Sequence, residues 1–200
     1  MAGEESSAAR ERVLMVAERL FSERGYSSVT LRDIANELGI RQASLYHHVP
    51  GGKEQLFVEV TERSLDRARV ELDRVIAAAG DDLRQQLRSA AALPLEQPPF
   101  DLARMIRSDM PAISEVHARR LTQIALRSLV MPIETAFAAA QDRGMHRMPH
   151  QRLLAGSFLA IIETVQVSQR FTPLSGQEMA DMMIDVLLDG LRPRDASDSI

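Results

Sequence analysis

The chain has 200 residues, 45% hydrophobic and 26% charged, with a formal net charge of −4. That length suits one ordinary domain or a small module joined to a larger one, and the lack of cysteine removes disulfides, thiolate zinc sites and a cysteine nucleophile. The acidic start MAGEESSAAR lacks the apolar stretch of a secretory signal, no apolar run approaches the about 20 residues of a membrane span, and a soluble cytoplasmic protein is expected.

Apolar residues recur at helical spacing almost throughout, which predicts an all-α chain of about nine helices. A first helix is expected from about Ser7 to Arg24, with Val13, Leu14, Ala17, Leu20 and Phe21 on one stripe and Gly25 at its left-handed end. Thr30 opens a short second helix ending at Gly39: its hydroxyl can cap the first turn, Asp33 stands at the reciprocal spacing, and Leu31, Ile34, Ala35 and Leu38 form the buried face. A third helix covers about 42–49, burying Leu45 and Val49, and Pro50-Gly51-Gly52 stops it.

A long helix follows from about Lys53 to Ala79, roughly 40 Å at about 1.5 Å per residue, and Gly80 ends it. Beyond it, 81–93 reads as a helix, PLEQPP as a rigid connector, and Asp101 as the cap of a helix carrying Leu102, Met105 and Ile106. A helix from Ser114 to Asp142 contains Pro132, whose missing amide and ring should kink or split it. Two further helices, 151–170 and 177–191, are apolar on more than one face, as expected for a four-helix bundle formed by two copies across a two-fold axis. The expected division is a small N-terminal head over 7–53, a larger helical domain over 54–193, and a disordered tail over 194–200.

The stretch TLRDIANELGIRQASLYHHV is two short helices joined by a tight turn at Gly39, with the small Ala35 at their crossing and Ile40 and Leu45 as plugs between them. That is helix-turn-helix spacing, and its use is to lay the second helix in the DNA major groove while the first braces it. LFSERGYSSVTL, IANELGI, SLYHHV and KEQLF follow one another in order, and over about residues 9–60 the chain resembles the TetR family of regulators.

The resemblance implies phosphate contacts by Thr30, by the Tyr46 hydroxyl, by His47 and by Lys53, which stands at the start of the long helix and is the chain's sole lysine. His48 is read as a rim residue, because the two histidines cannot both face the groove. Base reading falls to Arg41, Gln42, Ala43 and Ser44: arginine can pair with guanine and glutamine with adenine in bidentate fashion, and alanine can touch a thymine methyl. Two features depart from the usual pattern. Arg41 replaces a capping serine, and the turn PGGK is one residue longer than the frequent form. Between Thr30 and Lys53 the cations Arg32, Arg41 and Lys53 stand against Asp33 and Glu37, so the grip on DNA must come from a few placed contacts rather than a broad positive field.

Phe100, Arg104, Met105, His117, Leu121 and Phe137 are candidates for an effector pocket, with ordinary core packing and a solvated arginine as the competing reading. Leu154, Phe158, Ile161, Ile162, Val165, Met179, Met183, Val186 and Leu187 are candidates for the dimer interface. His146 and His150 have the spacing of helical zinc ligands, but Pro149 and Gly144 disfavour a helix there, so no metal site is expected. Hydrolase, P-loop and dinucleotide-binding motifs are missing from the sequence, so neither an enzyme nor a cofactor is expected. The expected function is a regulator that binds a pseudo-palindromic operator as a homodimer. By the family resemblance it is a repressor released by a small-molecule effector, and no membrane is involved.

Overall fold

The computed structural model describes residues 2–96, 104–144 and 150–191, and among them it holds α-helices, π and 3₁₀ turns, and no strand. The α-helices are α1 (Ala2–Arg24), α2 (Leu31–Glu37), α3 (Gln42–His48), α4 (Gly52–Ala78), α5 (Leu83–Glu96), α6 (Glu115–Ala125), α7 (Met131–Asp142), α8 (Gln151–Ser168) and α9 (Gly176–Gly190). None of the described helices is long and apolar enough to cross a membrane.

Several helix starts are capped by side chains, the first of them as the sequence predicts. Thr30 caps α2 in a reciprocal box with Asp33, and Ser175 caps α9 in the same way with Glu178. Asp82 Oδ1 accepts from the amides of Arg84 (2.9 Å) and Gln85 (3.3 Å) at the start of α5.

Two ends differ from the sequence reading, and one expected break takes a particular form. α1 starts at Ala2 rather than Ser7, since the segment Ala2-Gly3-Glu4-Glu5-Ser6 holds no proline to stop the helix. α5 runs on through Pro94 to Glu96, so PLEQPP is only partly a connector. Pro94 gives up an amide there, but its carbonyl accepts from Gln166 Nε2 at 2.7 Å, and the flanking Leu93 and Leu95 pack on the core. The helix expected over 114–142 is split by a π turn, Leu126–Val130, that ends just before Met131-Pro132. A second π turn, Met105–Asp109, likewise precedes Met110-Pro111. Proline removes one amide and its ring crowds the carbonyl four residues back, and a wider turn relieves both. Asp101 and Leu102 lie outside the described residues.

The chain divides into two compact units, Met1–Arg67 with Phe100–Ile124, and Ala68–Pro99 with Ala125–Ile200. In the first, α1, α2 and α3 pack on one another, and Val13, Ala17, Leu20, Phe21, Ile34, Leu45, Leu56 and Phe57 are buried. Phe57 meets Phe21 edge-on (5.2 Å between centroids) and Tyr26 at a tilt (5.0 Å). Ion pairs run along the flank: Arg10–Glu59, Arg63–Glu11 and Arg67–Glu18 tie α1 to α4, and Arg120–Glu62 ties α6 to α4.

The second unit is built on a continuous apolar cluster. Leu72 of α4, Leu83 and Leu87 of α5, Ile133 and Phe137 of α7, Phe158 and Ile162 of α8, and Ile184 and Leu188 of α9 belong to it. Ala90, Ala136, Ala140, Ala155 and Ala180 lie between these larger residues and let the helices approach closely.

Candidate nucleic-acid interface

The site is assembled from the N-cap of α2 to the first turn of α4. Thr30 has an extended backbone, its Oγ1 accepts from the Asp33 amide at 3.1 Å, and Asp33 Oδ2 accepts from the Thr30 amide at 2.8 Å. The Thr30 hydroxyl, which donates to Asp33 Oδ2 at 2.6 Å, and then the Thr30 amide hold the Asp33 carboxyl below its ordinary range. Gly39 takes the left-handed conformation (φ +66°) that the sharp turn into α3 requires. In α3, Leu45 is fully buried and Val49 follows it inward at the C-cap, which leaves Gln42, Ala43, Ser44, Tyr46 and His47 exposed and His48 half-buried. Arg41 is exposed at the N-cap and makes no side-chain capping bond. Tyr46 is 50% exposed although aromatic, so its ring is not used for core packing.

Charge is arranged economically. Both acids of the motif are engaged inside the protein, Asp33 in its capping box and Glu37 in an ion pair with Arg19, while Arg32 and Arg41 are exposed. The small formal surplus therefore understates the positive character of this face.

Lys53 is held rather than loose. Its Nζ donates to the Tyr26 carbonyl at 3.0 Å and lies 4.0 Å from the centroid of the Tyr26 ring. Burial, followed by the charge of Glu54, pushes the Tyr26 hydroxyl pKa upward. An ammonium has three donors, so two remain after the Tyr26 bond.

Sequence reasoning missed the residues behind this arrangement. Tyr26 follows the helix-ending Gly25, and nothing local marks its role. Asp109 Oδ1 accepts from the Tyr26 amide at 2.8 Å across 83 positions, and Arg104 donates to the carbonyls of Phe21 (3.2 Å) and Ser22 (2.5 Å). Glu54 accepts from the Ser114 amide (3.0 Å) and pairs with His117 Nδ1 (2.6 Å). Hydrogen bonds from Ser114, then from His117, hold the Glu54 carboxyl down at about 2.

The six pocket candidates are dispersed. Arg104 and His117 hold backbone and carboxylate within the first unit, Met105 and Leu121 are buried there, Phe137 belongs to the second unit's core, and Phe100 lies outside the described residues. The interface candidates separate by face. Phe158, Ile162 and Val165 are buried inside the protomer, whereas Leu154, Ile161, Met179 and Leu187 are half-buried and Met183 and Val186 are exposed. A groove of about 430 Å³ runs along this open face, lined among others by Ile161, Thr164, Met179, Met182 and Met183. His150 precedes α8 as its N-cap, and His146 lies outside the described residues.

Residues 13–60 match the model of bacterial regulatory proteins, tetR family. The regulator LmrA of Bacillus subtilis is 39% identical over 72 residues, 36% of this chain and 38% of the relative. The repressor KstR2 of Rhodococcus jostii is 40% identical over 83 residues, 42% of this chain and 40% of the relative. The chain thus matches less than half the length of either. The TetR-family regulator PfmR from Thermus thermophilus shares the fold over 91% of this chain and 100% of its own, with a TM-score of 0.69 and 24% identity. AibR, solved with isovaleryl coenzyme A and operator DNA, does so over 90% and 97%, with a TM-score of 0.69 and 23% identity. Residues 13–60 thus carry the N-terminal motif of the tetR family of bacterial regulatory proteins, and the helices share the fold of TetR-family regulators.

Proposed function

We propose that this protein is a DNA-binding transcriptional regulator, a ligand-responsive repressor that binds a pseudo-palindromic operator as a homodimer. The observation that carries the reading is the exposed polar face of α3, set behind a capped α2 inside the family-matched segment. In the major groove, Arg41, Gln42, Ala43 and Ser44 read base edges, while Thr30, Tyr46, His47 and Lys53 hold phosphates. A homodimer presents two such helices to half-sites about 34–36 Å apart or a shifted equivalent. Its interface is the open face of α8 and α9, where Met182, Met183 and Val186 would otherwise meet water. DNA binding is assigned to 7–53, and sensing and dimerisation to 54–193. Operator binding also puts the protein in the cytoplasm.

The regulatory half of the reading draws on relatives, since KstR2 carries the name of a repressor and AibR was solved with both a small molecule and its operator. An effector must prefer the DNA-released state in order to act, and the same coupling makes DNA weaken its binding.

Fluorescence anisotropy with duplex from upstream of the protein's own gene tests the DNA reading. Affinity is expected to fall with salt, and Arg41→Ala should relax discrimination at one base pair by about 1–3 kcal/mol. Absence of binding at low salt would overturn the DNA reading. Uniform losses on all sequences for Arg41→Ala would remove that residue's base-reading role.

A further inference from the structure

We propose that Asp109 is a positioning residue for the DNA interface: through the Gly25–Tyr26 turn it holds the Lys53 ammonium at the start of α4. The role of that ammonium rests on the DNA-binding reading above. Its restraint rests on geometry alone.

Asp109 ends the π turn that precedes Met110-Pro111, and at 4% exposure its carboxylate is buried. A buried carboxylate must be paired or hydrogen-bonded, and this one has two partners. Oδ1 accepts from the Tyr26 amide at 2.8 Å, and Oδ2 lies 3.7 Å from Arg104 Nε. The same Arg104 reaches the Phe21 and Ser22 carbonyls in the last turn of α1, the first of which also accepts from the Gly25 amide at 2.9 Å. The turn has closed tightly onto the carboxylate. A Cβ on Gly25 would stand 3.1 Å from Asp109 Oδ1, and Gly25 has φ +78°. Tyr26 is therefore fixed through its amide by Asp109, and its carbonyl and ring in turn fix Lys53 Nζ. Lysine has a long flexible stem, and holding it in place before DNA arrives lowers the ordering cost of a phosphate contact.

Lys53 is the sole lysine, so the restraint can be read directly. Full-length protein is labelled with an amine-reactive ester, and the rate at Lys53 is followed by peptide mass spectrometry, apart from the N-terminal amine. Asp109→Leu, similar in size and without an acceptor, should raise that rate several-fold. Asp109→Asn keeps an acceptor oxygen for the Tyr26 amide and should stay near wild type. In parallel, the salt dependence of binding to labelled upstream duplex is measured. Losing one phosphate contact lowers the slope by about 0.9. Lys53→Ala and Asp109→Leu should each show that loss, and the double variant should show it once.

Unchanged Lys53 labelling in a folded Asp109→Leu protein would overturn the proposal, as would slope losses that add in the double variant. If Asp109→Leu does not fold, Gly25→Ala, which presses on the carboxylate, is put through the same measurements with the same criteria. A wild-type chain that binds no duplex overturns the DNA reading and with it the role of Asp109 in that interface. Labelling then still decides whether Asp109 holds Lys53.

Discussion

The two compact units are stabilised differently. In the first, long-range polar links supplement an apolar core that includes Leu20, Phe21, Leu45, Leu56 and Leu65: ion pairs between α1 and α4, Glu54 with His117, and Asp109 with Tyr26. In the second, one apolar cluster draws on α4, α5, α7, α8 and α9, and its partly exposed methionines lie on the α8–α9 face. The first unit, proposed to bind DNA, uses directional bonds to fix individual side chains and turns. The second has ion pairs of its own, Arg84–Asp185 and Arg88–Asp181 between α5 and α9, but they join helices that the apolar cluster already holds together.

Substitutions separate these modes, beginning with the core. Phe158→Ala should cost about 3–5 kcal/mol, read by thermal or urea unfolding, because the ring is 1% exposed inside the second unit. A loss below about 1 kcal/mol would mean the cluster collapses to fill the hole.

Acid should weaken the first unit next. Glu54 is held at about 2, below its ordinary 4.5, so its contribution to stability is complete above pH 4.5 and is lost as pH falls toward 2. Glu54→Gln should be less stable than wild type at neutral pH, and the gap should close across that window. A gap that stays constant with pH would show that the carboxylate charge is not what binds α4 to Ser114 and His117.

Smaller still is the cap. Thr30→Ala should cost about 1 kcal/mol of stability while also weakening DNA binding, whereas Thr30→Ser should restore both. The smallest effect is expected from the flank, where Arg63→Ala should cost about 0.2–1 kcal/mol and depend on salt, since both partners of the Arg63–Glu11 pair are well exposed. A loss comparable to that of Phe158→Ala would show that the α1–α4 pairs act as a coupled network.

Much of the fold could be read locally. Helical periodicity placed the elements, and the Thr30–Asp33 box, Gly25, Gly39 and Gly80 marked ends that the structure confirms. Pro132 announced a break in the helix, although not that a π turn would absorb it. The Ser175–Glu178 box is equally local, a serine three positions ahead of a glutamate. Pro94 misled, because its cost is offset by Gln166 and by leucines on the core, which only packing brings together.

The sequence by itself determined the all-α class, the helix-turn-helix and the exposed polar face of α3, because caps, turns and amphipathic stripes are set by neighbours within a few positions. Tertiary structure decided which apolar residues of α8 and α9 turn inward, since both helices are apolar on more than one face and only their packing partners choose between faces. It also decided that Lys53 is tethered to Tyr26, that Asp109 stands behind that turn, and that Glu54 meets His117. Those contacts join residues 27 to 83 positions apart, and no local periodicity encodes a bond across such a distance.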